Sequence, residues 1–195
     1  MTDSLWLAIL GYVLASNPFH RRPVLPLTDR PRQTALATIA AGAIVTMGVL
    51  SVIAAAGSAV LDALDISVAN ARVAAGLVVV LAAIVQFLRD PRSTADGDAA
   101  ADGAPVGSAA ALTPVFFPIL LRPELAVLAL VGGADVGWGA MAAAVLIGTS
   151  AVVAWAALAQ PDSWTTRFER VFDRLVDVGL IVIGIDQIVD GVLAI

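Results

Sequence analysis

The sequence predicts an all-α transmembrane protein of six spans, arranged as a 3+3 inverted repeat in which spans one and four are broken by prolines. Three observations predict it. Apolar residues make up 59% of the chain and charged residues 14%, where a soluble domain should be roughly 45–50% apolar and about 25% charged. Mean hydropathy is +0.93. Pro18-x-x-x-Arg22-Pro23 returns one hundred residues later as Pro118-x-x-x-Arg122-Pro123, and paired broken spans in the two halves of a chain point to a transporter's binding site.

Crossing the hydrocarbon core takes about 20 apolar residues. The first span runs from Leu5 to about Leu27 and breaks at Asn17–Pro26, where Pro18, Pro23 and Pro26 remove backbone donors and clash with preceding carbonyls. The second runs from Thr34 to about Gly57, with Gly57-Ser58 opening a short amphipathic turn through Leu61, Leu64 and Ile66. The third is Val68 to Leu88. Residues 89–108 are rich in Asp, Gly, Ser and Pro and form a flexible cytoplasmic linker between repeats 1–88 and 109–195. Span four, Ala109 to Val131, carries Pro114, Pro118 and Pro123. Span five is Trp138 to Leu158, and span six about Phe172 to Ile195.

Arginine placement sets the orientation. All eleven cations are arginine. The connections after spans one, three and five carry Arg30, Arg32, Arg89, Arg92, Arg167, Arg170 and Arg174, against Arg72 alone on the other side. Both termini therefore face outside a multi-pass cell membrane, and the halves have opposite topology. Trp6, Trp138 and Trp164 fall near span ends, where interfacial aromatics belong. Asp3 and the lack of an early cation argue against a cleavable signal peptide.

Non-helical backbone survives in hydrocarbon only inside protein or beside a water-filled cavity. The breaks therefore imply a substrate site at Asn17, Pro18, His20, Arg22 and Pro23 from one half, and Thr113, Pro114, Pro118, Arg122, Pro123 and Glu124 from the other. Charged groups within spans are costly and mark function by default. Arg22 and Arg122, approaching from opposite sides, would suit a carboxylate or phosphate with their planar donor forks; alternatively both snorkel, or Arg122 pairs with Glu124. His20, the only histidine, is the residue type that titrates near neutral pH. Glu124 and Asp186 are candidates for proton or cation coupling. Asp190 shares the face of Asp186 and belongs nearer the outer end. Arg72 should meet Asp62 or Asp65.

Taken together, these residues resemble the MarC family of six-span membrane proteins within the LysE superfamily. The resemblance is carried by Asn17-Pro18 with Pro23, Leu64-Asp65-Ile66-Ser67 leading into Arg72-Val73-Ala74-Ala75-Gly76, Thr113-Pro114 with Pro118 and Pro123, and Asp190-Gly191. It implies export or exchange of small solutes, with neutral amino acid transport attributed to some members. The family tends to glycine where this chain has His20, Arg122 and Glu124. Glycine lets a ligand approach the backbone, so charged side chains there favour a solute bearing an anionic group.

The expected function is a secondary transporter of a small polar solute, an amino acid or other small carboxylate, by alternating access. The competing readings are a lipid-phosphate translocase and a non-transporting scaffold. No nucleophile–base pair, zinc spacing or phosphate loop suggests an enzyme or a cofactor, the absence of cysteine excludes thiol metal sites, and no nucleic-acid signature appears. The expected partners are a small-molecule substrate and the lipid bilayer.

Overall fold

The computed structural model describes residues 2–17, 32–88, 121–158 and 163–195. These form six α-helices: α1 (Thr2–Ser16), α2 (Arg32–Ala63), α3 (Val68–Leu88), α4 (Pro123–Asp135), α5 (Trp138–Leu158) and α6 (Ser163–Leu193). By length and composition α2, α3 and α5 can cross a membrane. At about 1.5 Å per residue, the 21 residues of α3 span roughly 32 Å, close to the thickness of the hydrocarbon core. The 15 residues of α1 and the 13 of α4 reach only about two thirds as far.

Two turns show how local sequence sets direction. After α2, Ile66 N donates to Leu61 O at 3.0 Å and Asp65 N to Asp62 O at 3.1 Å, with Asp65 at φ 54°. That is a Schellman end with an acidic residue in the left-handed position. Ser67 then caps α3, its Oγ accepting from Asn70 N at 3.2 Å. Between α4 and α5 the work falls to Gly137, at φ 95°. It lies just past the end of α4, and its carbonyl accepts from Met141 N at 3.2 Å to start α5.

Helices α3 and α6 run antiparallel along the whole of α3: Gly191 packs on Ala69 and Val73, Gly184 on Gly76, and Arg174 stacks on Phe87. Helix α1 runs antiparallel to α6 in the same way, through Gly11 with Ile183, Leu14 with Gly179, and Asn17 with Asp173. Further pairings join α2 to α4 and α5, α1 to α5 and α4, α3 to α4, and α4 to α5. The shared core includes Tyr12, Leu50, Val79, Leu125, Met141, Val145 and Leu180. Outward faces carry Ile44, Val52, Leu77, Leu81, Leu146 and Val182, more than half exposed, as side chains meeting lipid tails should be.

Several sequence boundaries are corrected. Helix α2 does not stop at Gly57 but continues to Ala63, and Gly57 is glycine because a Cβ there would strike Leu130 O and Ala134 N of α4. A residue read as a breaker is a packing glycine. Helix α6 begins at Ser163, nine residues before the expected Phe172. Of span four, residues 109–120 lie outside the described residues; the described part holds α4, with Pro123 at its first position and Arg122 extended at φ −95°, ψ 148°, as the residue before proline prefers. Spans three and five match their expected bounds. Trp6 and Trp138 are 67% and 64% exposed, in keeping with an interfacial placement. Pro18, His20, Arg22, Pro23, Thr113, Pro114 and Pro118, with the linker 89–108, lie outside the described residues.

Candidate functional site

The two short helices end inside the protein. At the end of α1, Ser16 and Asn17 are buried. Ser16 Oγ donates to Tyr12 O at 3.0 Å, and Asn17 N donates to Leu14 O at 2.9 Å. Asn17 has φ 22°, at the margin of the left-handed region that asparagine tolerates better than most residues. Its Nδ2 donates to Asp173 Oδ1 on α6 at 2.8 Å. Asp177, one turn further along α6, is 1% exposed.

At the start of α4, Glu124 is 7% exposed. Arg122 Nη1 donates to Glu124 Oε1 at 3.2 Å. Gln86 Nε2, from the last turn of α3, reaches the same oxygen at 3.5 Å, while Gln86 Oε1 is buried without a hydrogen-bond partner. A carboxylate in the first turn of a helix also meets the positive end of the helix dipole. Arg174 completes this level of the bundle, its guanidinium 4.5 Å from the centre of the Phe87 ring and donating to Phe87 O. Arginine is suited to both contacts at once. The result is a polar belt of Asn17, Asp173, Gln86, Arg122 and Glu124 that ties α1 to α6 and α3 to α4. Asn17 and Glu124 are buried and the other three half-buried, and burying such groups is costly wherever a hydrogen bond is not made.

Of the sequence candidates, Asn17, Arg122, Pro123 and Glu124 fall at these helix ends. Arg122 is engaged by Glu124, which fits the pairing alternative; its expected counterpart Arg22 lies outside the described residues. Asp186 is half-buried and Asp190 exposed, with Asp186 on the level of the α3–α6 crossing and away from the belt. Arg72 meets neither Asp62 nor Asp65, which are both exposed. Its Nε donates to Asp135 Oδ2 at 3.0 Å and its Nη2 to Asp135 Oδ1, because the start of α3 faces the end of α4 and the α2–α3 turn points away.

Gln86, Asp173 and Asp177 were missed from sequence. The signal was present: acidic and amide side chains within apolar runs are expensive. Asp173 and Asp177 fall inside span six as read from sequence, but Arg167, Glu169, Arg170 and Arg174 nearby make its start look like an ordinary charged helix end. Among the described residues no group of acidic or histidine side chains could hold a metal ion.

No curated protein and no solved structure matches this chain. The family model of the MarC family integral membrane proteins matches residues 2–195, and the chain belongs to that family.

Proposed function

We propose that this protein is a secondary transporter that moves a small polar solute by alternating access between two three-helix halves, α1–α3 and α4–α6. The observation that carries the reading is that two short helices, α1 and α4, which pack on each other, end at the buried residues Asn17 and Glu124 beside half-buried polar partners. Asn17 and Glu124 close helices too short to cross a bilayer, in the interior and not at a surface. Non-helical backbone at that depth needs protein or water around it.

The pattern of helix contacts supports a repeat. Exchanging α1 with α4, α2 with α5 and α3 with α6 converts the α2–α4 pairing into α1–α5 and the α3–α4 pairing into α1–α6. It returns α3–α6, α2–α5 and α1–α4 to themselves. The α4–α5 pairing, between neighbours joined by two residues, is the exception. In this reading the halves have opposite topology and both termini lie outside the cell membrane, which the arginine asymmetry supports.

The solute is a small amino acid or related carboxylate, with Arg122 as its anchor and Glu124 as the group that releases Arg122 when solute or a coupling proton arrives. Asp186 is the alternative coupling residue. The test is a thermal-shift screen of purified protein with amino acids, small carboxylates and soluble phosphate compounds, since a ligand that binds the native state raises Tm. The proposal expects a small carboxylate to raise Tm in the parent and in Asp190→Asn, and to have no effect in Arg122→Gly. A shift only with lipid phosphates would replace it with the translocase reading.

A further inference from the structure

We propose that the Arg72–Asp135 pair is a latch that closes the bundle on the side of the α2–α3 and α4–α5 turns, so that its release opens the polar belt from that side. This rests on the transporter reading and adds to it which end of the protein is shut and what shuts it.

Four observations carry the inference. First, the pair bridges the two halves: Arg72 belongs to α3 and Asp135 to α4, and two hydrogen bonds join one guanidinium to both carboxylate oxygens. Second, Asp135 is poorly placed for its own helix, being the last residue of α4 against the negative end of the helix dipole, so its compensation comes from Arg72 across the seam. Third, the side chains are 26% and 18% exposed. Such a pair is screened less than a surface pair and lacks the full desolvation cost of a buried one, so it can both hold and let go.

Fourth, the same two helices touch again at the other end of their seam, and there the contact is weaker. Gln86 and Glu124 meet at 3.5 Å, at the limit of a hydrogen bond. Along α3 the two contact points are fourteen residues apart, about 21 Å, and along α4 eleven residues, about 16 Å. Helix α4 therefore lies antiparallel on α3, held firmly at Asp135 and loosely at Glu124. Rocking one half against the other separates one end of this seam before the other, and the bidentate end is the one that must be unfastened to admit solvent from the turn side.

The absence of cysteine from the chain makes the test direct. A single Ser16→Cys reporter next to Asn17 is exposed, in oriented proteoliposomes, to a membrane-impermeant maleimide from the turn side. A control cysteine at Ala144, in the apolar core, reports any unfolding. The latch predicts slow labelling of the reporter in the parent. Labelling becomes at least tenfold faster with Arg72→Gln or Asp135→Asn and slow again in the charge-reversed Arg72→Asp/Asp135→Arg double variant. Unchanged rates in both single variants overturn the latch, and so does fast labelling in the reversed pair with the control protected. If a single variant also exposes the control, the near-isosteric Asp135→Asn decides. Labelling requires no solute, so the two proposals fail separately. Faster labelling with no solute-induced Tm shift sinks the transporter and keeps the latch; the opposite pattern sinks the latch alone.

Discussion

Removing the charge of Arg122 together with that of Glu124 should destabilise the protein little more than removing that of Arg122 alone. Glu124 is 7% exposed and takes its principal hydrogen bond from Arg122 at 3.2 Å. In Arg122→Met the apolar stem is kept while the carboxylate retains only Gln86 at 3.5 Å and the start of α4. Breaking a buried pair costs about 3–5 kcal/mol, and the helix dipole returns about 1, leaving a loss of about 2–4 kcal/mol. For a chain of this size that is a fall in Tm of roughly 5–15 °C, at about 2–4 °C per kcal/mol. Glu124→Gln costs less, about 1–2 kcal/mol, because Arg122 is 15% exposed and can reach water. In the double variant no orphan charge remains, so the two losses should fall short of additivity by about 1–2 kcal/mol. The assay is reversible unfolding in mixed micelles followed by circular dichroism, run on the parent, both single variants and the double. Strict additivity would refute the reasoning, since it would mean that Arg122 and Glu124 do not act on each other.

Other perturbations test the remaining contacts. Asn17→Gly keeps the backbone conformation but loses the bond to Asp173, and should cost about 1.5–3 kcal/mol as a hydrogen bond to a charged group; unfolding equilibria of Asn17→Gly and Asp173→Asn read it. Gly76→Ala would put a Cβ 2.5 Å from Gly184 O, and should cost about 1–3 kcal/mol through overpacking, measured by the same unfolding. Ser67→Ala removes the cap of α3 and should cost about 1 kcal/mol, a shift of a few degrees in Tm. Single-tryptophan proteins retaining Trp6 or Trp138 should be quenched strongly by headgroup-located quenchers and weakly by quenchers at the bilayer centre.

Much of the fold was legible because membrane helices advertise themselves by length and hydropathy alone. The bounds of α3 and α5 could be read to the residue, since Ser67, Gly137 and Arg89 punctuate long apolar runs. Gly57 misled for a physical reason: glycine serves equally as a turn residue and as a point of helix contact. Only the position of α4 decides between them. Asn17, Arg122 and Glu124 stood out because polar groups flank prolines there. The partners Gln86 and Asp173 did not, because which side of a helix faces the interior depends on the packing of α3 and α6, and neighbouring charges masked Asp173. Arg72 was assigned to acids close in sequence, whereas its partner Asp135 comes from the other half of the chain.

The glycines at the helix crossings have a genetic consequence. Opposite Gly57, Gly133 and Gly76 lie main-chain atoms: Leu130 O, Ala54 O and Gly184 O. Every amino acid carries those atoms, so no replacement on the facing helix can make room. A selection for second-site suppressors of Gly133→Ala or Gly57→Ala should return true revertants and little else. Gly132 is different, because a Cβ there would meet the flexible end of Met141, with Sδ at 2.6 Å. Loss of function from Gly132→Ala should be rescued by Met141→Val, so adjacent glycines on one helix differ in whether evolution can bargain around them.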